Sequence, residues 1–378
     1  MMSILLAVVT FICVKAGAAD EAITNGTELV LTFLIHRHGD RTPVISTMGL
    51  SDDPDALEEL IRPYGYGQLT NVGKRRSFEM GKFIRRRYDG LISPQYNSSE
   101  LYLRSTDSTR AKMTALTAMA GVYPAEGQEW IEDINWVPVP YTTLPAKYDY
   151  NLAVLNCPTL TMAKMNGSNS PKMEQYHDSF DQFGQYASAL KQEPLLTYMT
   201  YDLYCSQISL GLPLKPKLQE TLPEIKAAAG EAIDLLFGDD NYIALQAGPF
   251  LKDFFDQTSN VLAGRDTQRL RIYSAHDVSV YSWMAVSRVR PKQGVPPYNA
   301  VFALELRRVV KTGQFVVLPV YVSSPGEPIQ YLQVEGCGSE LCDVDKFREL
   351  TAPYTLDVKE WRIKCDFDED VEIDESNI

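Results

Sequence analysis

Histidine is scarce in this chain, with four in 378 residues, and no two cysteines stand at the C-x-x-C spacing of a structural zinc site. A centre built from several imidazoles or thiolates is therefore not expected, and no metal or other cofactor is predicted. No Gly/Ser-rich or Pro-rich stretch divides the sequence, which favours one large unit carrying an insertion over a string of small domains. After the first dozen residues no run is long and apolar enough to cross a bilayer, so no membrane anchor is expected. Basic excess is absent too. With 36 Lys and Arg against 49 Asp and Glu, a net charge of −13, the chain is a poor partner for nucleic acid. An acidic protein that accepts an anion must override its own long-range field locally, so clustered arginines carry more weight here than in a basic protein.

What is present begins with an apolar segment, Ile4 to Ile12, followed by Ala16-Gly17-Ala18-Ala19, the small-residue pattern of a secretory cleavage site, although no basic residue precedes it. The sequence predicts a signal peptide over 1–19, a mature chain beginning near Asp20, and a product that is secreted or held in a lysosomal lumen. Three Asn-x-Ser/Thr triplets, at Asn25, Asn97 and Asn166, fit that route as glycosylation acceptors. Cys13 leaves with the signal, and Cys157, Cys205, Cys337, Cys342 and Cys365 remain, so at least one is unpaired within a monomer. Cys337 and Cys342 flank a short Gly-containing loop suited to a local disulfide in an oxidising compartment, whereas spacing leaves the long-range partners open. The acidic tail, 366–378, is expected to stay solvated and disordered.

The apolar run Leu29 to Ile35 is rich in β-favouring residues and too short for most helices, so it predicts a buried parallel strand. It ends in His36-Arg37-His38-Gly39-Asp40-Arg41-Thr42-Pro43, a charged loop at the strand end where α/β sheets bind ligands. Gly39 is expected to let the backbone approach a ligand, Pro43 to stiffen the exit, and Asp40 to be an ordinary turn residue. Residues 68–88 predict an amphipathic helix with Phe78, Met80, Phe83 and Ile84 apolar and a solvated basic face. Leu101 to Arg104 predicts a strand, with Ser105-Thr106-Asp107 capping a helix through Met119. Leu270 to Ala275 predicts another strand, then His276-Asp277 opens a helix over Val278 to Val286, and Ala300 to Leu306 and Phe315 to Val322 predict two more strands. Between 141 and 237 the pattern is polar and mixed, with helices expected at Glu174–Leu190 and Leu222–Phe237. The expected class is α/β, a mostly parallel central sheet flanked by helices, with core segments 20–140 and 238–365 and a mainly helical cap at 141–237.

Three strand ends thus supply Arg37, His38 and Arg41, then Arg104, then His276 and Asp277. Phosphoryl transfer is largely positioning and charge stabilisation, and guanidinium groups give phosphate planar paired donors, which suits Arg37, Arg41 and Arg104, with His276 adding another bond. His38 is the expected nucleophile. Neighbouring guanidinium groups disfavour a second positive charge, so its imidazole stays neutral in mild acid, with the other ring nitrogen held by a carbonyl such as that of Gly39. Attack would give a phosphohistidine, and Asp277 would protonate the leaving oxygen and then activate water. Asp277 is also placed where a helix N-cap belongs, which sets a dipole against its protonation.

Arg37-His38-Gly39-Asp40-Arg41-Thr42-Pro43 resembles the RHG-x-R-x-P signature of the histidine acid phosphatases, the branch of the histidine phosphatase superfamily with prostatic, lysosomal and insect venom or salivary members. Leu103 to Asp107 is similar to that family's second phosphate-binding arginine segment, and Ser274 to Asp277 to its distal His-Asp pair; together the three span most of the chain in the family's order. The resemblance implies a secreted acid phosphatase hydrolysing small phosphate monoesters without metal, and often a homodimer. It implies His38 as nucleophile, Asp277 as proton donor, and Arg37, Arg41, Arg104 and His276 as phosphate ligands. It also implies disulfides Cys157–Cys365 and Cys337–Cys342. The position that commonly pairs with Cys205 is Val301 here, which leaves Cys205 free or intermolecular.

Three other readings compete. A secreted anion-binding protein of the same fold would bind without turnover, and phytase or lipid phosphate phosphatase specificity would keep the chemistry but change the pocket lining. A metal hydrolase would use His36 with His38, but Arg37 and Arg41 would repel the cation. His177-Asp178 repeats the His276-Asp277 dipeptide without a preceding strand and is expected to be a surface pair.

Overall fold

The computed structural model describes residues 23–127, 129–150, 156–166, 173, 176 and 193–370. The predicted signal peptide, nearly all of the predicted Glu174–Leu190 helix, the His177-Asp178 pair and the tail from 371 lie outside the described residues.

A seven-stranded sheet carries the molecule, with β1 (Thr27–Arg37) in its middle. On one side β1 pairs parallel with β3 (Leu270–Ala275), which pairs parallel with β2 (Leu101–Ser105). On the other it pairs antiparallel with β5 (Val301–Val309), followed by β6 (Phe315–Val322), whose outer edge holds the short β7 (Gln330–Tyr331) and β9 (Cys342–Asp343). A separate ribbon joins β4 (Val289–Arg290) to β8 (Gln333–Val334). The α/β class is as expected. Its parallel half, β2-β3-β1, delivers all three site loops at one end of the sheet, while the C-terminal strands extend it in antiparallel fashion.

Ten helices stand among the described residues: α1 (Pro54–Ile61), α2 (Asn71–Arg87), α3 (Thr109–Val122), α4 (Pro158–Asn166), α5 (Pro194–Ser209), α6 (Pro216–Phe237), α7 (Ile243–Leu262), α8 (Asp277–Val286), α9 (Val344–Thr351) and α10 (Val358–Lys364). They cover both faces of the sheet, as the period-2 alternation of β1 requires. Leu34 packs with Met80, Ile84, Ala115 and Ala118 of α2 and α3. Leu31, Phe33 and Ile35 face the other way, into a core with Phe250 and Phe254 of α7 and Trp283 of α8. Phe33 meets Phe254 edge to face at 5.4 Å, and each such buried ring contributes about 2–3 kcal/mol.

Helix α2 starts at Thr70, whose hydroxyl accepts the Gly73 N–H at 3.1 Å. Its buried face is Gly73, Ser77, Met80, Gly81 and Ile84, whereas Phe78, grouped with the apolar residues in the sequence, is exposed. Two glycines explain the difference. A Cβ on Gly81 would stand 1.9 Å from the Ala118 carbonyl oxygen, and one on Gly121 2.4 Å from that of Phe78, so α2 and α3 meet backbone to backbone. Part of the basic face is not solvated. Arg87 is buried against Glu305 of β5 at 2.7 Å, a carboxylate that also takes Arg307 at 2.7 Å.

Between 141 and 237 the described residues are mainly helical, with α4, α5 and α6 the principal elements. Helix α6 begins six residues before the predicted start, with Pro216 in its first turn. The structure forms the disulfides Cys157–Cys365 and Cys337–Cys342, and Cys205 is free. Val301, where a partner for Cys205 would stand, is buried in β5. Phe367, in the acidic segment expected to be loose, packs 6.0 Å from Trp361.

Candidate active site

The end of β1 places Arg37 inside the protein, and the chain leaves as the His38 N–H donates to the Ala275 carbonyl at 2.9 Å, tying the first loop to the third. Gly39 then passes over the start of α2. Its role differs from the expected approach to a ligand, because an added Cβ would meet the Ser77 hydroxyl at 2.7 Å and the Gly73 carbonyl oxygen at 2.8 Å. The side chain of Asp40 is no ordinary turn residue either. It is buried, accepts Arg76 at 2.6 and 2.8 Å and Ser209 at 2.9 Å, and so anchors the loop.

His38 is 2 % exposed. Its Nδ1 lies 2.9 Å from the Gly39 carbonyl oxygen, which keeps the proton on Nδ1 and leaves Nε2 as the basic nitrogen. The rings of His276 and Tyr298 stand 5.5 and 5.8 Å away. Burial is the main reason that His38 is held well below the ordinary histidine range, and Arg110, Arg37, His276 and Arg41 push it further. His276 is lowered in the same way by burial, then by Arg110, Arg41 and Arg37. One of its ring nitrogens, Nε2, lies 3.0 Å from the Thr106 hydroxyl. Thr106 therefore orients His276 instead of capping a helix; α3 starts later, after Ser108.

Three guanidinium groups surround these imidazoles. Arg37 Nη2 contacts Asp277 Oδ2 at 2.8 Å and Asp202 Oδ1 at 2.9 Å, and the Arg37 guanidinium lies over the Tyr298 ring at 4.3 Å. Arg41 donates to Asp202 Oδ2 at 2.6 Å and to the Ser206 hydroxyl at 3.2 Å. Burial works against both charges, but the carboxylates more than offset it and raise both groups. Arg110, 6 % exposed, is different: burial first and Arg41 second push it down to about 9, which still leaves it charged throughout the acidic range. A phosphate beside it would relieve that cost. Asp277 occupies the first turn of α8 and accepts its own neighbour's Val278 N–H at 2.8 Å, while His276 takes the N-cap position expected for Asp277.

The structure thus brings Arg37, His38, Arg41, His276 and Asp277 together. Arg104 requires correction. Its Nη1 donates to the Tyr150 hydroxyl at 2.8 Å and its Nη2 to Asp149 at 2.5 Å, and the leading charges on His38 and His276 do not include it. Arg110, six residues on, is the arginine of that segment whose field reaches both rings. A signal for it existed in the sequence: a cation in the first turn of a helix opposes the helix dipole, a mismatch that a bound anion resolves. Asp202, Ser206 and Tyr298 were also missed, because nothing in their local patterns points inward. His36 is fully buried one residue before Arg37, with Nδ1 3.2 Å from the Arg37 carbonyl oxygen. Among the described residues no group of three or more His, Cys, Asp or Glu is placed to hold a metal ion. Asn25 and Asn97 are exposed, and the side chain of Asn166 lies outside the described residues.

Comparison with known proteins finds relatives along most of the chain. The profile of the Histidine phosphatase superfamily (branch 2) matches residues 28–208. Prostatic acid phosphatase of Bos taurus is 27 % identical over 352 residues, covering 89 % of this chain and 88 % of that protein. Lysosomal acid phosphatase of Bos taurus is 29 % identical over 356 residues, covering 90 % and 81 %. Among solved structures, the phytase from Citrobacter braakii superposes with a TM-score of 0.63 at 14 % identity, covering 89 % of this chain and 99 % of the phytase, a likeness of fold.

Proposed function

The chain belongs to the histidine phosphatase superfamily (branch 2), a phosphatase related to the prostatic and lysosomal acid phosphatases, and from that premise we propose that it is a secreted acid phosphatase working through a phosphohistidine on His38. Nε2 of His38 attacks phosphorus while Arg37, Arg41, Arg110 and His276 hold the equatorial oxygens. The bond from phosphorus to the ester oxygen breaks, and Asp277 gives that oxygen its proton, releasing the alcohol. Asp277, now a carboxylate, takes a proton from water; the hydroxide displaces His38 and inorganic phosphate leaves.

The observation that carries this reading is the buried His38 with Nδ1 2.9 Å from the Gly39 carbonyl oxygen, among guanidinium groups that disfavour a positive charge on its ring. The two disulfides support passage through an oxidising compartment, and no helix among the described residues is long and apolar enough to cross a membrane. His38→Ala should abolish hydrolysis of p-nitrophenyl phosphate at mildly acidic pH. Rapid trapping with radiolabelled substrate, followed by peptide mapping without acid, should put the label on the peptide holding His38; full turnover by His38→Ala, or label elsewhere, sinks the assignment.

A further inference from the structure

Helix α5 turns one polar stripe toward the site. Tyr198, Asp202, Ser206 and Ser209 follow at spacings of four, four and three residues, which is one face of a helix. The Tyr198 hydroxyl faces the Asp277 carboxylate. Asp202 bridges Arg37 and Arg41, one carboxylate oxygen to each, at 2.9 and 2.6 Å. Ser206 accepts from Arg41 and lies 2.7 Å from the Tyr298 hydroxyl, and Ser209 donates to Asp40 at 2.9 Å.

Packing alone does not ask for this. Burying the Asp202 carboxylate costs several kcal/mol of hydration, and an apolar side chain would fill the inner face of a cap helix more cheaply. The geometry gives the carboxylate two effects. It fixes the planes of two guanidinium groups, together with the Pro296 carbonyl that takes Arg37 Nη1 at 2.8 Å and the Thr42 carbonyl that takes Arg41 Nη1 at 3.0 Å. It also shares Arg37 Nη2 with Asp277, at 2.9 and 2.8 Å, and so divides one positive charge between two acids.

We propose that Asp202 and Tyr198 are positioning residues through which the cap helix aims Arg37 and Arg41 and sets the pH range over which Asp277 delivers its proton; this rests on Asp277 being the proton donor. The groups facing Asp277 are Arg37 from β1, Tyr198 and Asp202 from α5, Arg110 from α3 and its neighbour His276. Neutralising Asp202 leaves Arg37 to act on Asp277 alone and favours its carboxylate form. Removing the Tyr198 hydroxyl takes a polar neighbour from that carboxylate and favours the acid form. The two changes therefore act in opposite directions.

The test is kcat against pH for glycerol 2-phosphate, whose poor leaving group needs the proton, with wild type, Asp202→Asn, Tyr198→Phe and Ser206→Ala. For Asp202→Asn the alkaline limb should move to lower pH by about half a unit or more, and kcat/KM should fall about tenfold or more. For Tyr198→Phe the limb should move to higher pH. Ser206→Ala should lower kcat/KM through Arg41 with the limb in place. Limbs that stay within about 0.2 unit of wild type in both Asp202→Asn and Tyr198→Phe, or that move the same way, overturn the proposal; so does an inactive, folded Asp202→Asn whose residual limb is unmoved. If Asp202→Asn does not fold, an unmoved limb in Tyr198→Phe overturns it. Label trapping on wild-type His38 is independent of these variants and separates failure here from failure of the phosphatase mechanism.

Discussion

Arg104 and Arg110 stand six positions apart in one segment, yet their surroundings assign them different work. Arg110→Ala should weaken inhibition by inorganic phosphate by about 10- to 100-fold, the worth of a charged hydrogen bond of roughly 1.5–3 kcal/mol, measured with urea unfolding as the control for stability. Arg104→Ala breaks the buried ion pair with Asp149 and should cost about 3–5 kcal/mol of stability, read in the same urea titration. His36 gives a second residue-level expectation. Burial lowers it from 6.5 to about 4, so between those values the unfolded chain takes up a proton that the native chain refuses. Its contribution to stability is unaffected above pH 6.5, falls on acidification, and levels off below about 4, a loss of about 3 kcal/mol in all. His36→Leu should flatten unfolding free energy against pH by about one proton, or roughly 1.4 kcal/mol per pH unit in that window, leaving the slopes from His38 and His276. Of these residues, the loop from Arg37 to Arg41 was legible because so many charges at the end of an apolar strand have no other explanation. Arg110 was not, because the strand-end arginine before it drew the same argument.

At the scale of elements, the contact of α2 with α3 fixes where Gly73 and Arg76 receive the catalytic loop. Gly81→Ala would gain about 1 kcal/mol of helix propensity, but the carbonyl of Ala118 occupies the space of the new methyl group. The helices must separate, and the expected net loss is about 2 kcal/mol or more by urea unfolding. Gly81→Ala should also lower kcat more than a surface variant of equal stability, because the loop over Gly73 moves with the helix. Strands β1, β2, β3, β5 and β6 were readable from apolar runs and alternation. The clamp on α5 was not: Pro194 to Ser209 is buried on several sides, so no amphipathic period marks it, and Asp202 in a helix reads as a surface residue. Strand order was equally hidden, since pairing across more than two hundred residues leaves no local trace.

For the whole molecule, the Cys157–Cys365 bridge joins the start of α4 to the end of α10 across 208 residues. Loop-closure entropy assigns such a link up to about 5 kcal/mol. Cys157→Ser with Cys365→Ser should therefore lower the thermal midpoint by several degrees, measured by calorimetry, while the kcat of protein still folded stays near wild type, because neither sulfur touches the site. The sheet order carries a different consequence, for biosynthesis. The first of the described strands, β1, is central, and both of its hydrogen-bonding neighbours are translated more than two hundred residues later. Until β3 and β5 are made, the nascent chain carries both edges of a ribbon of Leu, Val, Phe and Ile unpaired, so fragments ending before β3 should aggregate or engage chaperones where longer ones do not.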